Sequence, residues 1–192
     1  MRTYKINRDT LETKISVEIN LDGSGKSEID TGIGFFDHML TLMAFHGKFD
    51  INIKCEGDTY VDDHHTIEDI GIALGQCVKG ALGDRCGIKR YSTVFIPMDE
   101  ALAQTSIDVS NRPYLVFNAE FADERVGNMT TQMVKEFFRA FVNESRVTLH
   151  INLLYGENDH HKIEAIFKSF ARALKDAIKI ISDEVASSKG VL

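Results

Sequence analysis

Apolar residues recur with two different periods along the chain, and the periods mark out its elements. Ile15, Val17, Ile19 and Leu21 are spaced by two, the pattern of a half-buried strand. Asp22-Gly23-Ser24-Gly25 follows as a turn. Phe35 to His46 has helical spacing and stops at Gly47, and Phe49, Ile51, Ile53 and Cys55 then alternate as another strand. A helix is predicted over 64–82, with Gly83 as its C-terminal cap. The second half repeats this order. Strands are predicted over 91–98, 102–109 and 114–121, with a turn at Asn111-Arg112-Pro113. A helix over 130–143, a strand over 147–153 and a long helix over 160–185 complete the chain.

The repetition extends to sequence. Asp62-Asp63-His64-His65-Thr66-Ile67-Glu68-Asp69 matches Asn158-Asp159-His160-His161-Lys162-Ile163-Glu164-Ala165, and each copy follows a strand and opens an amphipathic helix. The copies lie 96 positions apart in a chain of 192 residues. This predicts an internally duplicated α+β protein, with halves at 1–87 and 88–192 sharing one core.

Composition narrows the chemistry. With 22 basic and 29 acidic residues the net charge is −7, which argues against nucleic acid or an anionic membrane as partner. Cys55, Cys77 and Cys86 form no C-x-x-C pair, so neither a disulfide framework nor a thiolate zinc site is expected. No apolar run approaches the ~20 residues of a membrane helix, and the first residues lack the apolar core of a signal peptide. A cytoplasmic protein is expected.

Four of the seven histidines stand in the two pairs. On a helix of ~3.6 residues per turn, adjacent side chains diverge by about 100°. Neighbouring imidazoles therefore reach two different ions more readily than one. Glu68 and Glu164 fall on the same helical faces as the histidines. Imidazole with carboxylate suits a borderline divalent cation, and three ligands from each motif leave room for substrate. Other groups read less sharply. Glu12 can be a plain strand residue and Glu136 a solvated one; His46 and His150 suit structural roles. Lys168, four residues beyond Glu164, can pair with it or give a proton to a leaving oxygen. Arg90, Arg112 and Lys189 lie beside turns, and guanidinium forks hold phosphate well, but nothing local makes them converge.

These segments, with Thr31-Gly32-Ile33-Gly34-Phe35-Phe36-Asp37-His38-Met39-Leu40, Pro97-Met98-Asp99-Glu100-Ala101 and the Ser187-Ser188-Lys189-Gly190 tail, resemble the imidazoleglycerol-phosphate dehydratase family from about residue 8 to the end. The resemblance implies a fold with four-stranded sheets packed on helices, of the ribosomal protein S5 domain 2 type. It implies two Mn(II) ions per active site, and 24 subunits with sites formed between neighbours. By position the metal ligands fall on His38, His64, His65, Glu68, Glu136, His160, His161 and Glu164. The phosphate grip falls on Arg90, Arg112, Ser187 and Lys189; His46 and Asp99 are further candidate substrate contacts. Two positions depart from the family: Glu136 stands where many members have histidine, and Thr41-Leu42 stands where many have Asp-Gln.

The implied reaction dehydrates imidazole glycerol phosphate to imidazole acetol phosphate, in histidine biosynthesis. A metal-held imidazolate expels the C3 hydroxyl, and a base then takes the C2 proton. Glu12 and Lys168 are the expected proton-transfer groups. A dinuclear metal-dependent phosphoester hydrolase and a metal-storage protein are the competing readings of the same ligands.

Overall fold

The odd-numbered residues of strand β2 (Thr13–Asn20) are buried, while the even-numbered ones are exposed or half-buried. This alternation lays the strand on a helical layer, and the rest of the first half follows the same logic. The computed structural model describes residues 1–192. Its first half also contains β1 (Thr3–Asp9), β3 (Ser27–Asp30), α1 (Gly34–Gly47), β4 (Asp50–Gly57) and α2 (His64–Leu82). The second half contains β5 (Tyr91–Met98), β6 (Ala101–Asp108), β7 (Tyr114–Asn118), a short hairpin of β8 (Arg125–Val126) and β9 (Met129–Thr130), α3 (Met133–Ser145), β10 (Thr148–Tyr155) and α4 (Asp159–Ala177).

The two four-stranded sheets run β1-β2-β4-β3 and β5-β6-β10-β7. In each, a hairpin pairs antiparallel with the strand that follows the first helix, and the third strand joins that strand in parallel. The halves thus share one topology, the α+β duplication that the repeated motif predicted.

The halves do not fold around separate centres. Helix α2 packs on β1 and β2 and also against α3, while α4 packs on β5 and β6 and also against α1. The four helices lie between the sheets, and one cluster of 47 buried apolar residues draws on both halves. Phe36 and Phe138 meet Phe137 edge-on at 5.3 and 5.1 Å, and Phe137 stacks on Phe167 at 5.4 Å. Where α2 crosses α3, glycine sets the distance. A Cβ at Gly75 would lie 2.6 Å from the Phe141 carbonyl oxygen, and one at Gly71 would lie 2.8 Å from that of Phe137.

Several boundaries differ from the sequence pattern. Strand β1 escapes detection because it is an edge strand with mostly exposed residues, and β3 is only Ser-Glu-Ile-Asp. Strand β7 stops at Asn118, and α3 starts at Met133 because the β8–β9 hairpin occupies the preceding residues. Helix α4 ends at Ala177 rather than at 185. Beyond it the chain runs beside 87–90: the amides of Arg90 and Lys89 donate to the carbonyls of Ala177 (2.7 Å) and Lys179 (2.8 Å), and that of Ile181 donates to Gly87 (2.8 Å). These bonds satisfy the backbone better than another turn of exposed helix. No helix is long and apolar enough to cross a membrane.

Candidate metal and anion site

Each histidine pair opens a helix that is fastened at its start. Asn158 caps α4, its side-chain oxygen accepting from the amides of His160 (2.9 Å) and His161 (3.3 Å). Asp62 takes the amide of His64 at 2.8 Å. The aspartates directly before the pairs turn inward. Asp63 accepts from the amide (2.5 Å) and hydroxyl (2.8 Å) of Thr130, and Asp159 accepts from the amide of Asp123 and the ammonium of Lys162, both at 2.7 Å.

The packing of α1 against α4 brings His38, from the first half, onto the second motif. Glu164 Oε1 lies 3.0 Å from His38 Nε2 and 2.9 Å from His160 Nε2, and its other oxygen pairs with Lys168. Donor atoms of His38, His160 and Glu164 all lie within 4.8 Å of one another. Burial of Glu164 opposes its ionisation, but the Lys168 ammonium and the two imidazoles outweigh that and bring its carboxyl down to about 2. Two imidazoles and one ionised carboxylate, without a thiolate, fit a hard-to-borderline divalent cation such as Mn(II).

In the first motif, His64 Nε2 stands 3.4 Å from Glu68 Oε2. The second histidine of each pair points elsewhere: the rings of His64 and His65 cross at 77°, and those of His160 and His161 at 79°. His65 meets Asp58 through Nδ1 at 3.0 Å, with Nε2 3.7 Å from Glu12. His161 meets Glu100 through Nδ1 at 2.7 Å, with Nε2 3.8 Å from Asp99. The acids raise the pKa of both imidazoles, Asp58 and Glu100 foremost. Glu12 lies in the β1–β2 turn, not within a strand, and Asp99 and Glu100 occupy the corresponding β5–β6 turn.

Not every candidate joins these clusters. Glu136 is half-buried on α3 and pairs with Arg139 at 2.5 Å, outside the group of three. Arg90 and Arg112 do converge, on Asp108. Arg90 Nε is 2.8 Å and Arg112 Nη2 3.3 Å from its carboxylate, and Arg90 Nη1 donates to the Ala186 carbonyl at 2.7 Å. Ala186 leads directly into Ser187, whose hydroxyl accepts from the Lys189 amide at 3.2 Å. Arg90 holds φ at +78°, a sparsely populated value for a side-chain-bearing residue, beside this group of donors. His46 lines a separate cleft of about 470 Å³ with Lys48, Arg172, Lys175 and Lys179, where burial first and then the charges of Lys168, Arg172 and Lys48 lower its pKa. His150 is half-buried on the opposite face of the second sheet, in a cavity of about 420 Å³ that Asp108 also lines.

Sequence reasoning missed Asp58, Glu100 and Asp108 as partners. Glu100 sits inside Pro97-Met98-Asp99-Glu100-Ala101, a segment that the resemblance already marks. Asp58 and Asp108 carry no repeat or spacing that sets them apart.

The geometry can be compared with known proteins. The family model for imidazoleglycerol-phosphate dehydratase matches residues 31–174. The chain is 71% identical to imidazoleglycerol-phosphate dehydratase of Clostridioides difficile, over all of both chains. It is 56% identical to that of Caldicellulosiruptor saccharolyticus, covering all of this chain and 98% of the relative. The crystal structure of the Staphylococcus aureus dehydratase aligns with a TM-score of 0.83 at 47% identity, over 91% of this chain and 97% of that one. The Pyrococcus furiosus dehydratase aligns with a TM-score of 0.85 at 40% identity, over 97% and 100%. Matches of this length and identity leave one assignment: the chain belongs to the imidazoleglycerol-phosphate dehydratase family of hydro-lyases.

Proposed function

We propose that this chain dehydrates imidazole glycerol phosphate to imidazole acetol phosphate in histidine biosynthesis, and that the reaction depends on divalent metal. The observation that carries the reading is the convergence of His38, from α1 in the first half, with His160 and Glu164 of α4 in the second. These three would hold one Mn(II) ion. His64 and Glu68, joined by Glu136, would hold a second. His65 and His161 point away from their neighbours' ligand partners, which suits donation to sites on adjoining subunits. The reading therefore includes a homo-oligomer with sites at subunit interfaces, for which the family resemblance implies 24 subunits. The three cysteines are free, in keeping with a reducing cytoplasm.

When bound, the cations would lower the pKa of the substrate's imidazole ring and so make loss of the adjacent hydroxyl feasible. The chain's own groups supply the rest. Arg90, Arg112, Ser187 and Lys189 grip the phosphate, which competes with Asp108 for the two guanidinium forks. That grip is remote from the reacting carbons and orients them. Lys168, already ammonium-paired to Glu164, donates a proton toward the departing hydroxyl. Glu12, on its turn beside His65, removes the C2 proton.

The test is turnover of imidazole glycerol phosphate by metal-stripped protein, with and without added Mn(II). Mn-dependent formation of the ketone product is expected. No product from folded, metal-loaded protein would overturn the reading. Release of inorganic phosphate instead would move a dinuclear hydrolase to the front.

A further inference from the structure

We propose that Asp58 and Glu100 are positioning residues that fix the tautomer of His65 and His161, so that each ring offers its Nε2 lone pair to a cation. The inference rests on the metal reading above. A neutral imidazole carries one N–H, and a carboxylate at Nδ1 accepts it, which leaves Nε2 as the ligand atom. Both histidines meet their acid through Nδ1, at 3.0 and 2.7 Å. Both leave Nε2 with no partner nearer than 3.7 Å.

The acids are themselves held. Glu100 Oε1 accepts from the amides of Asn158 (2.8 Å) and Glu157 (3.1 Å), which leaves Oε2 for His161. The Asp58 amide donates to the Glu12 carbonyl at 3.0 Å, tying this acid to the turn that carries the proposed base. The two halves reach one arrangement by unlike routes: Asp58 comes from the residue after β4, and Glu100 from the β5–β6 turn. The same nitrogen is engaged in both, although the acids are not at repeated positions. A shared orienting role explains that; an incidental surface ion pair does not.

The experiment compares wild type with Asp58→Asn and Glu100→Gln, with Asp58→Glu and Glu100→Asp as conservative rescues. Mn(II) binding is followed by the paramagnetic resonance of the free ion. Each amide variant should weaken one class of sites by ~10–100-fold and leave the other class alone. The imidazole vibrational bands of the metal-free protein should shift from the Nδ1–H toward the Nε2–H form, and the rescues should restore both readouts. Wild-type-like binding and bands in both amide variants would overturn the proposal. Failure of wild type to bind Mn(II) would overturn the metal reading instead, and the bands would still decide the tautomer.

Discussion

Asp63 and Asp159, the residues before the two histidine pairs, both send their carboxylates into the segment between β7 and α3. Asp63 takes the amide and hydroxyl of Thr130, and Asp159 takes the amide of Asp123. One loop therefore sets the start of both ligand-bearing helices. Removing Asp63 strands buried donors that water cannot reach. Asp63→Ala should cost about 2–3 kcal/mol and lower the thermal midpoint by on the order of 5–10 °C at fixed protein concentration. A midpoint within 2 °C of wild type would show that the loop does not depend on this contact.

The base assignment makes a cleaner demand. Glu12 is well exposed on its turn and lies 3.7 Å from His65 Nε2, beyond hydrogen-bond reach. Its side chain holds nothing else in place. Glu12→Gln should keep metal content and assembly and cut turnover by ~10²-fold or more. Near-normal turnover in a metal-loaded variant would remove Glu12 from the proton-transfer role.

Glycine substitutions in α2 should split by sign. Alanine is favoured over glycine inside a helix by about 1 kcal/mol. At Gly75 the new Cβ meets the Phe141 carbonyl oxygen at 2.6 Å and Glu144 Cβ at 2.9 Å, so α3 must move bodily away. Overpacking of that kind costs about 1–3 kcal/mol, and the clash wins. At Gly80 the obstruction is the ring of Tyr4 alone, on a side chain that is 45% exposed, so a χ1 rotation of one residue relieves the clash without moving backbone. Thermal unfolding should show Gly75→Ala below wild type and Gly80→Ala at or above it. The reverse order would mean that propensity, not helix spacing, governs this face.

Acid stability follows from the surface carboxylates. The Arg2 guanidinium, hydrogen-bonded to Asp22, holds its carboxyl down at about 2 against an ordinary 3.8. Amides of Ser24, Lys26 and Gly25 depress Asp50, and the Lys89 ammonium depresses Asp176. A carboxylate with a depressed folded pKa stabilises the protein fully above its unfolded value, and that stability fades as pH falls toward the folded value. The window here lies between about pH 4 and 2. Asp22 is 39% exposed on its side chain, so screening limits its share to less than ~1 kcal/mol. In metal-stripped protein, Asp22→Asn should lower the midpoint by on the order of 1–3 °C at pH 6, and the gap should close near pH 2. A gap that is unchanged at pH 2 would assign the loss to packing rather than charge.

Elements that bury one face were readable in the chain, because burial leaves a period. β2, β5 and α2 fall where the alternation and the helical spacing put them. β1 and β3 left no period because none of their side chains is fully buried, whereas β5, also at a sheet edge, keeps Ser92, Val94, Ile96 and Met98 on one covered face. The end of α4 was misplaced because Ile178, Ile180 and Ile181 continue an apolar pattern, and only the tertiary bonds to Gly87 and Lys89 show that the helix has stopped. The site divides in the same way. The histidine pairs announce themselves by repetition, but His38 meets Glu164 only through the packing of α1 on α4. Asp58 has no counterpart to betray it: six positions before His64 stands an aspartate, and six before His160 stands Leu154.

Glu136 stands where the family resemblance implies histidine in many members. Its carboxylate is engaged by Arg139 one turn along α3. Arg139 is 55% exposed on its side chain, so the pair is worth no more than about 1 kcal/mol, and under the proposed second site a cation held by His64 and Glu68 would draw Glu136 away from it. A carboxylate is a harder ligand than imidazole and favours Mn(II) over Zn(II) relative to it. Glu136→His should therefore lower the ratio of Mn(II) to Zn(II) affinity in a competition titration. Arg139→Ala frees the carboxylate and should strengthen Mn(II) binding, by at most about 5-fold for 1 kcal/mol. If neither variant moves either metal, Glu136 stands outside the ligand set, and the second cation rests on His64 and Glu68 with ligands from another subunit.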